Sequence, residues 1–440
     1  MVPYSNSLST NVTLTEMKKL NWTKKKNKNI TEINNIFWND ISEEAYPLSK
    51  GRMRVPISLE PFAITKQKNN KLQKDVSLVI SAVKKLTKEY FKDEELKKLV
   101  SIDPLEHELI QNSKNMPLVG VVRIDLFYGK KPKIVEINAD FPDGLFMHDI
   151  TSKRIQKING TNLKFTSNIK QFANLLKDYN VKHSDCIFVG HNKERIFLDE
   201  FELTKIKLKA LGFRNVLVGS FEDLNFKNNA FYYKDNKVDV MRRGSELSKI
   251  RNIPGLLQNI IKAENHNNLK VINNFKMRLL GHKSMLAILH NTKYAKLFSK
   301  AELMAIKSLV PVTHKLEEVL LKEIISNKDL WVLKPSDLAE GDGVTIGTSV
   351  SNKKWQESIT KASRNKNKWI LQEKVEIPEE TFNTFVDNKM HKNNAYYDFC
   401  PHVFLLKKKI TYGNILVRFS DSEILNVMKG GGLTYLFEKR

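Results

Sequence analysis

The chain has 440 residues, of which 41% are hydrophobic and 28% charged, and its formal net charge is +24. That length supports two or three domains, each with its own core, and the composition is ordinary for a globular protein. No apolar run nears the roughly 20 residues needed to cross a bilayer, and Cys186 and Cys400, far apart and without CxxC spacing, offer neither a disulfide framework nor a zinc site. The first residues lack the charged-then-apolar layout of a signal peptide, so a soluble cytoplasmic protein is expected. The positive charge could suit nucleic acid, an anionic membrane or an acidic protein. The lysines, however, are spread along the whole chain, often beside asparagine, with no zinc-finger spacing, RNP-like aromatic pattern or basic heptads. This disfavours nucleic acid, and leaves an acidic carrier protein or peptide as a partner that the surface would suit.

In chain order, residues 1–95 read as mainly helical, most clearly over Val76–Lys98, and carry no evident chemistry. Val119–Asp140 reads as two strands around a turn at Tyr128–Pro132. Side chains alternate faces along a strand. Val122, Ile124 and Leu126 therefore share one face and Arg123 and Asp125 the other, while on the second strand Val135 and Ile137 oppose Glu136 and Asn138. If the strands pair, one face is apolar and the other gathers an arginine, two carboxylates and an amide. Such oxygen ligands on a rigid hairpin suit magnesium bound to nucleotide phosphates; an ordinary meander with one solvated face reads the same way.

From about 184 to 280 the pattern is strand, helix, strand: Cys186–Gly190, an amphipathic helix over Glu194–Leu211 ended by Gly212, and Arg214–Gly219. This predicts a small α/β unit with a partly parallel sheet. A hairpin with an Asp235–Asn236 turn and a short strand near Lys270 follow. A helix is expected around Lys283–His290, with helical residues to about Asn327, and the last third is strand-rich.

Trp331–Pro335 is an apolar strand ending in Lys334, followed by a loop with Gly341 and Gly343. A lysine there can reach phosphate oxygens while the loop's N–H groups close over them, the glycines giving the required freedom; an ordinary hairpin loop is the plain alternative. The strand before Gln372, Glu373 and Lys374 ends in a hinge of the kind that reads an adenine ring. Lys283 begins a helix, where anions are favoured, although most helix lysines lie on the surface. Arg418 sits in an apolar strand and needs a partner: a transferring phosphoryl group or substrate carboxylate, or a salt bridge to Asp421 or Glu423.

Together these motifs resemble the ATP-grasp superfamily, specifically the circularly permuted branch that includes glutathionylspermidine synthetase. The acid and ExN motif (Asp125, Glu136, Asn138) precedes the lysines (Lys283, Lys334), the reverse of the usual ATP-grasp order. Val238–Arg243 and Asn273–Asn274 add further matches, and the resemblance runs from about Val119 to the C-terminus. It implies an α/β (α+β) fold: a permuted ATP-grasp domain with an inserted pre-ATP-grasp α/β domain and a helical N-terminal region. The expected boundaries are 1–95, 96–160, 161–282 and 283–440.

The resemblance further implies ATP and Mg²⁺ as cofactors. It assigns Asp125, Glu136 and Asn138 to the metal and Arg123 and Arg418 to the phosphoryl or carboxylate group. Lys283, Lys334, Gly341, Gly343 and Gln372–Lys374 fall to ATP, with Asp140, Asp143, Arg242 and Arg243 as candidate substrate contacts. The implied reaction is carboxylate–amine ligation through an acyl phosphate, with small-molecule carboxylate and amine substrates. Loading of a carboxylate onto a carrier-protein thiol is the alternative, and a non-catalytic nucleotide- or nucleic-acid-binding module a second one. Ala339, where glutathionylspermidine synthetases carry arginine, and Phe141–Gly144 after ExN depart from the pattern and argue against glutathionylspermidine as product.

Overall fold

The computed structural model describes residues 17–20, 55–142, 144–193, 199–338, 341–386 and 389–439. The long strand Lys389–Leu405 is the axis of the largest sheet, pairing antiparallel with Glu379–Val386, Ile410–Ser420 and Gly120–Tyr128. Beyond Gly120–Tyr128 the hairpin partner Pro132–Asn138 forms one edge. Helix Lys66–Glu89 covers the apolar face of this sheet. Its capping residue Thr65 accepts a hydrogen bond from the Lys68 N–H. Leu72, Val76, Val79, Ile80, Val83 and Leu86 recur at helical spacing and share one core with Val122, Ile124, Leu126 and Ile137 of the hairpin.

Just before that helix, Ile57–Ser58 and Phe62–Ile64 are strands that join the main sheet beside Gly432–Glu438. The reading of the N-terminal region as mainly helical is corrected at these residues. Pro56 and Pro61 interrupt any helix, and the short apolar runs find sheet partners supplied from the far end of the chain.

The expected α/β unit is present. Lys270–Ile272, Val240–Arg243, Cys186–His191 and Asn215–Ser220 form a four-stranded sheet in which every neighbouring pair is parallel. Helix Asp199–Ala210 makes the crossover between Cys186–His191 and Asn215–Ser220. A further antiparallel sheet, in the order Thr313–Lys315, Trp369–Glu373, Trp331–Pro335 and Thr345–Ile346, carries the second lysine. Among the described residues no helix is long and apolar enough to cross a membrane.

The hairpin departs from simple alternation at one point. Asp125 opposes Glu136, but the next pair is Leu126 with Ile134. Val135 is thus the extra residue of a β-bulge. Ile134, fully buried, takes the core position that strict alternation gives to Val135, which stays half-exposed.

Asn273 ties this hairpin to the parallel sheet. Its side-chain oxygen accepts from the Val121 N–H at 2.9 Å, and its amide donates to the Val121 and Ala139 carbonyls at 2.7 and 2.8 Å. The residue is fully buried, so truncation leaves backbone groups without partners. Asn273→Ala is expected to lower the unfolding free energy by about 2–3 kcal/mol, read as a lower denaturation midpoint at unchanged slope. Wild-type stability would contradict the role.

Candidate active site

The polar face of the hairpin is set by register. Arg123 lies opposite Asn138 on one side and opposite His402 of the long strand on the other, and Asp125 lies opposite Glu136. Arg123 grips Asp125 through Nε at 2.7 Å and Nη2 at 3.0 Å. Arg418 Nη2 bonds the same carboxylate at 2.8 Å. Arg418 also forks onto Asp398, its register partner, with Nε 3.2 Å from Oδ1 and Nη2 on Oδ2. Burial pushes the Asp125 carboxyl up, but the two guanidiniums outweigh it and hold it below the usual carboxylate range. The partners of Arg418 are therefore Asp398 and Asp125. The salt bridge to Asp421 or Glu423 considered from sequence does not form, and Glu423 instead pairs with Lys374 at 3.1 Å.

The two lysines reach this face from separate segments. Lys283, just ahead of helix Ser284–Ile288, places Nζ 2.8 Å from Glu136 and bonds the Leu338 carbonyl. Lys334 Nζ bonds Gln372 Oε1 at 2.6 Å and the carbonyl of the bulged Val135 at 3.3 Å. Burial, reinforced by Lys283, lowers Lys334 to about 8 despite the carboxylates of Glu136 and Asp125. Gly341 and Gly343 both adopt φ +75°, and a side chain on Gly341 would meet Ile424 at 2.6 Å. The loop thus lies against the segment after strand Ile410–Ser420, and Asp342 pairs with Lys429 at 3.0 Å.

The hinge is less open than the sequence suggests. Gln372 is buried, and its amide also donates to Thr313 at 3.2 Å. The Glu373 and Lys374 backbone N–H groups bond the Val312 and Leu330 carbonyls, both at 2.7 Å. A cavity of about 470 Å³ opens beside them, lined by Val312, Leu330, Trp331, Glu373, Lys374 and Val375.

The substrate candidates form a separate group. Arg243 is fully buried, donating to Asp140 at 2.6 Å and to the Asn273 carbonyl at 2.9 Å. Asp140 also takes Arg278 at 3.1 Å and the Leu247 N–H at 3.0 Å. These contacts make Asp140 and Arg243 an interior tie rather than an open binding surface. Arg242 lies over the rings of Phe141 and Phe172 at 4.9 and 5.4 Å, and Asp143 is outside the described residues. Sequence reasoning missed Asp398 and His402. Their signal was an acid and a histidine at even spacing inside the apolar run Tyr396–Leu405.

The donor set fits a magnesium ion at two of the three expected positions. Glu136 is partly exposed beside the lysines, and Asn138, two residues on along the same strand, shares its face, its side-chain oxygen being the atom that could meet a cation. Asp125 does not fit, because it is 3% exposed and both of its oxygens already carry guanidinium donors.

No family model matches the chain, and no curated protein matches its sequence. Among solved structures, a glutathione synthetase-like effector from Globodera pallida, in apo form, superposes with a TM-score of 0.63 at 13% identity, over 92% of this chain and 96% of that one. A protein assigned as a gamma-glutamylcysteine synthetase from Methylobacillus flagellatus gives 0.44 at 13% identity, covering 81% of this chain and 88% of its own. D-alanyl-alanine synthetase A from Vibrio cholerae gives 0.26 at 8%, covering 53% and 88%. The likeness to the Globodera protein carries the fold, and the other two superpositions are too loose to add to it. The chain has a mixed α/β fold similar to that of the Globodera glutathione synthetase-like effector.

The depressed Lys334 gives a pH signature. An anionic ligand beside Nζ would raise the pKa of Lys334, so binding any phosphate-bearing ligand there near pH 8 would take up a proton. Calorimetry in buffers of different ionisation enthalpy should show this uptake at pH 8–8.5 with affinity falling at higher pH, and Lys334→Met should remove the uptake. Uptake that persists in Lys334→Met would contradict the placement.

Proposed function

We propose that the protein is an ATP-dependent carboxylate–amine ligase working through an acyl phosphate. The observation that carries this reading is the convergence of Lys283, Lys334, Glu136, Asn138, Arg123 and Arg418 from four segments onto one face. Phosphoryl transfer needs positioned cations and little covalent chemistry from the protein. In this reading Lys283 and Lys334 hold phosphate oxygens, and Arg123 and Arg418 face the group receiving the phosphoryl. Glu136 and Asn138 would hold a magnesium ion, which would supply charge neutralisation at the phosphates. The loop carrying Gly341 and Gly343 shields the acyl phosphate from water. The order of the motifs supports the permuted ATP-grasp branch, and the hinge cavity is the proposed seat of the adenine. The name of the Globodera neighbour, a glutathione synthetase-like effector, makes peptide-like carboxylates the first substrates to try.

The test follows ADP and AMP separately while protein, ATP and Mg²⁺ meet pools of amino acids, peptides, small acids and amines. Pool-dependent ADP is expected, and Glu136→Ala or Lys334→Ala should lower it by about a hundredfold or more with the fold intact. AMP with pyrophosphate would overturn the mechanism. Turnover only with an acidic carrier protein would favour thiol loading, which the +24 charge suits, and nucleotide binding without any turnover would favour a non-catalytic module.

A further inference from the structure

Asp125, Asp398 and Cys400 offer ligand atoms that all lie within 4.8 Å of one another, a spacing compatible with a metal ion. Their surroundings argue otherwise. Asp125 takes three bonds from two guanidiniums, and Asp398 is forked by Arg418. The Cys400 thiol lies 3.4 Å from Asp398 Oδ1 as a donor, so it serves that carboxylate as one more hydrogen-bond partner. Two arginines and two aspartates already sum to zero, and a dication added among them would face two guanidiniums at contact.

The side chains are also ordered in depth. Arg123 is 20% and Arg418 13% exposed, against 4% for Asp125 and 2% for Asp398. The solvent-facing side of this sheet face therefore meets the guanidiniums, with the carboxylates behind them. We infer that Asp398 is a positioning residue that, together with Asp125, fixes Arg123 and Arg418 as a two-guanidinium face for an anionic phosphoryl or carboxylate group, and that neither carboxylate holds a metal. A guanidinium held on one edge by a bidentate carboxylate keeps its other donors aimed at the ligand without losing rotamer freedom on binding. The inference rests on the ligase reading for the identity of the anion.

Two measurements test it. The first is Mn²⁺ binding with the non-hydrolysable analogue AMP-PNP, followed by the Mn²⁺ EPR signal. Asp125→Asn and Asp398→Asn should bind within about threefold of the wild type, while Glu136→Gln weakens binding by about tenfold or more. The second is trapping of ADP with aluminium fluoride, which mimics the group in transfer. Asp398→Asn should weaken trapping about tenfold with ADP affinity unchanged, and should add less than about threefold in an Arg418→Lys background. If Asp398→Asn does not fold, Asp398→Glu, which keeps the charge one methylene further out, carries the same comparison. An Asp125→Asn loss of Mn²⁺ as large as that of Glu136→Gln, or multiplicative losses in the double variant, would overturn the inference alone. A wild type that binds no Mn²⁺–nucleotide would overturn the ligase reading and this inference with it.

Discussion

Charged side chains survive burial on a sheet face only when each meets its counter-charge, and the cleft is organised around that requirement. The register of the hairpin against the long strand sets which charges meet. Arg123, Asp125, Arg418 and Asp398 alternate in sign on four positions of three strands. Shifting any strand by one residue would send its charges into the core under helix Lys66–Glu89 and its apolar residues into the cleft. The apolar core and the polar face are thus opposite sides of one constraint.

The bulge at Val135 shows how local geometry serves the site. Alternation alone would turn Val135 toward the core and leave Ile134 outward. The extra residue reverses this and presents the Val135 carbonyl to Lys334. A backbone oxygen, Gln372 and the nearby carboxylates then share the burden of a partly desolvated ammonium, which still loses proton affinity. An anionic ligand at Nζ would restore it, so desolvation and ligand charge would act in opposite directions on one group.

Much of this was legible in the sequence because it rests on period-two alternation. Apart from the bulge that exchanges Val135 for Ile134, the polar and apolar faces of the hairpin follow from local pattern, as do the parallel α/β unit and the glycines of the 341–343 loop. The partners of Arg418 were not legible, since Asp421 and Glu423 are near in sequence while Asp398 is near only across the strand pair. The closed state of the hinge was hidden for the same reason: the carbonyls of Val312 and Leu330 come from other strands and loops. Asp140 and Arg243 looked like substrate contacts because lone charges in short motifs suggest ligands, yet each found its partner in the other. The strands at Ile57–Ser58 and Phe62–Ile64 carry no periodicity of their own, and their partners lie near the C-terminus.

The central claim is that a nucleotide's phosphates lie between the two lysines over the hairpin's polar face. A crystal structure with Mg²⁺ and AMP-PNP tests it most directly. The account predicts phosphate oxygens on Lys283 and Lys334, the metal on Glu136 and Asn138, and Asp125 still held by both arginines. A nucleotide bound away from these lysines, or a metal seated on Asp125 with the arginines displaced, would contradict it.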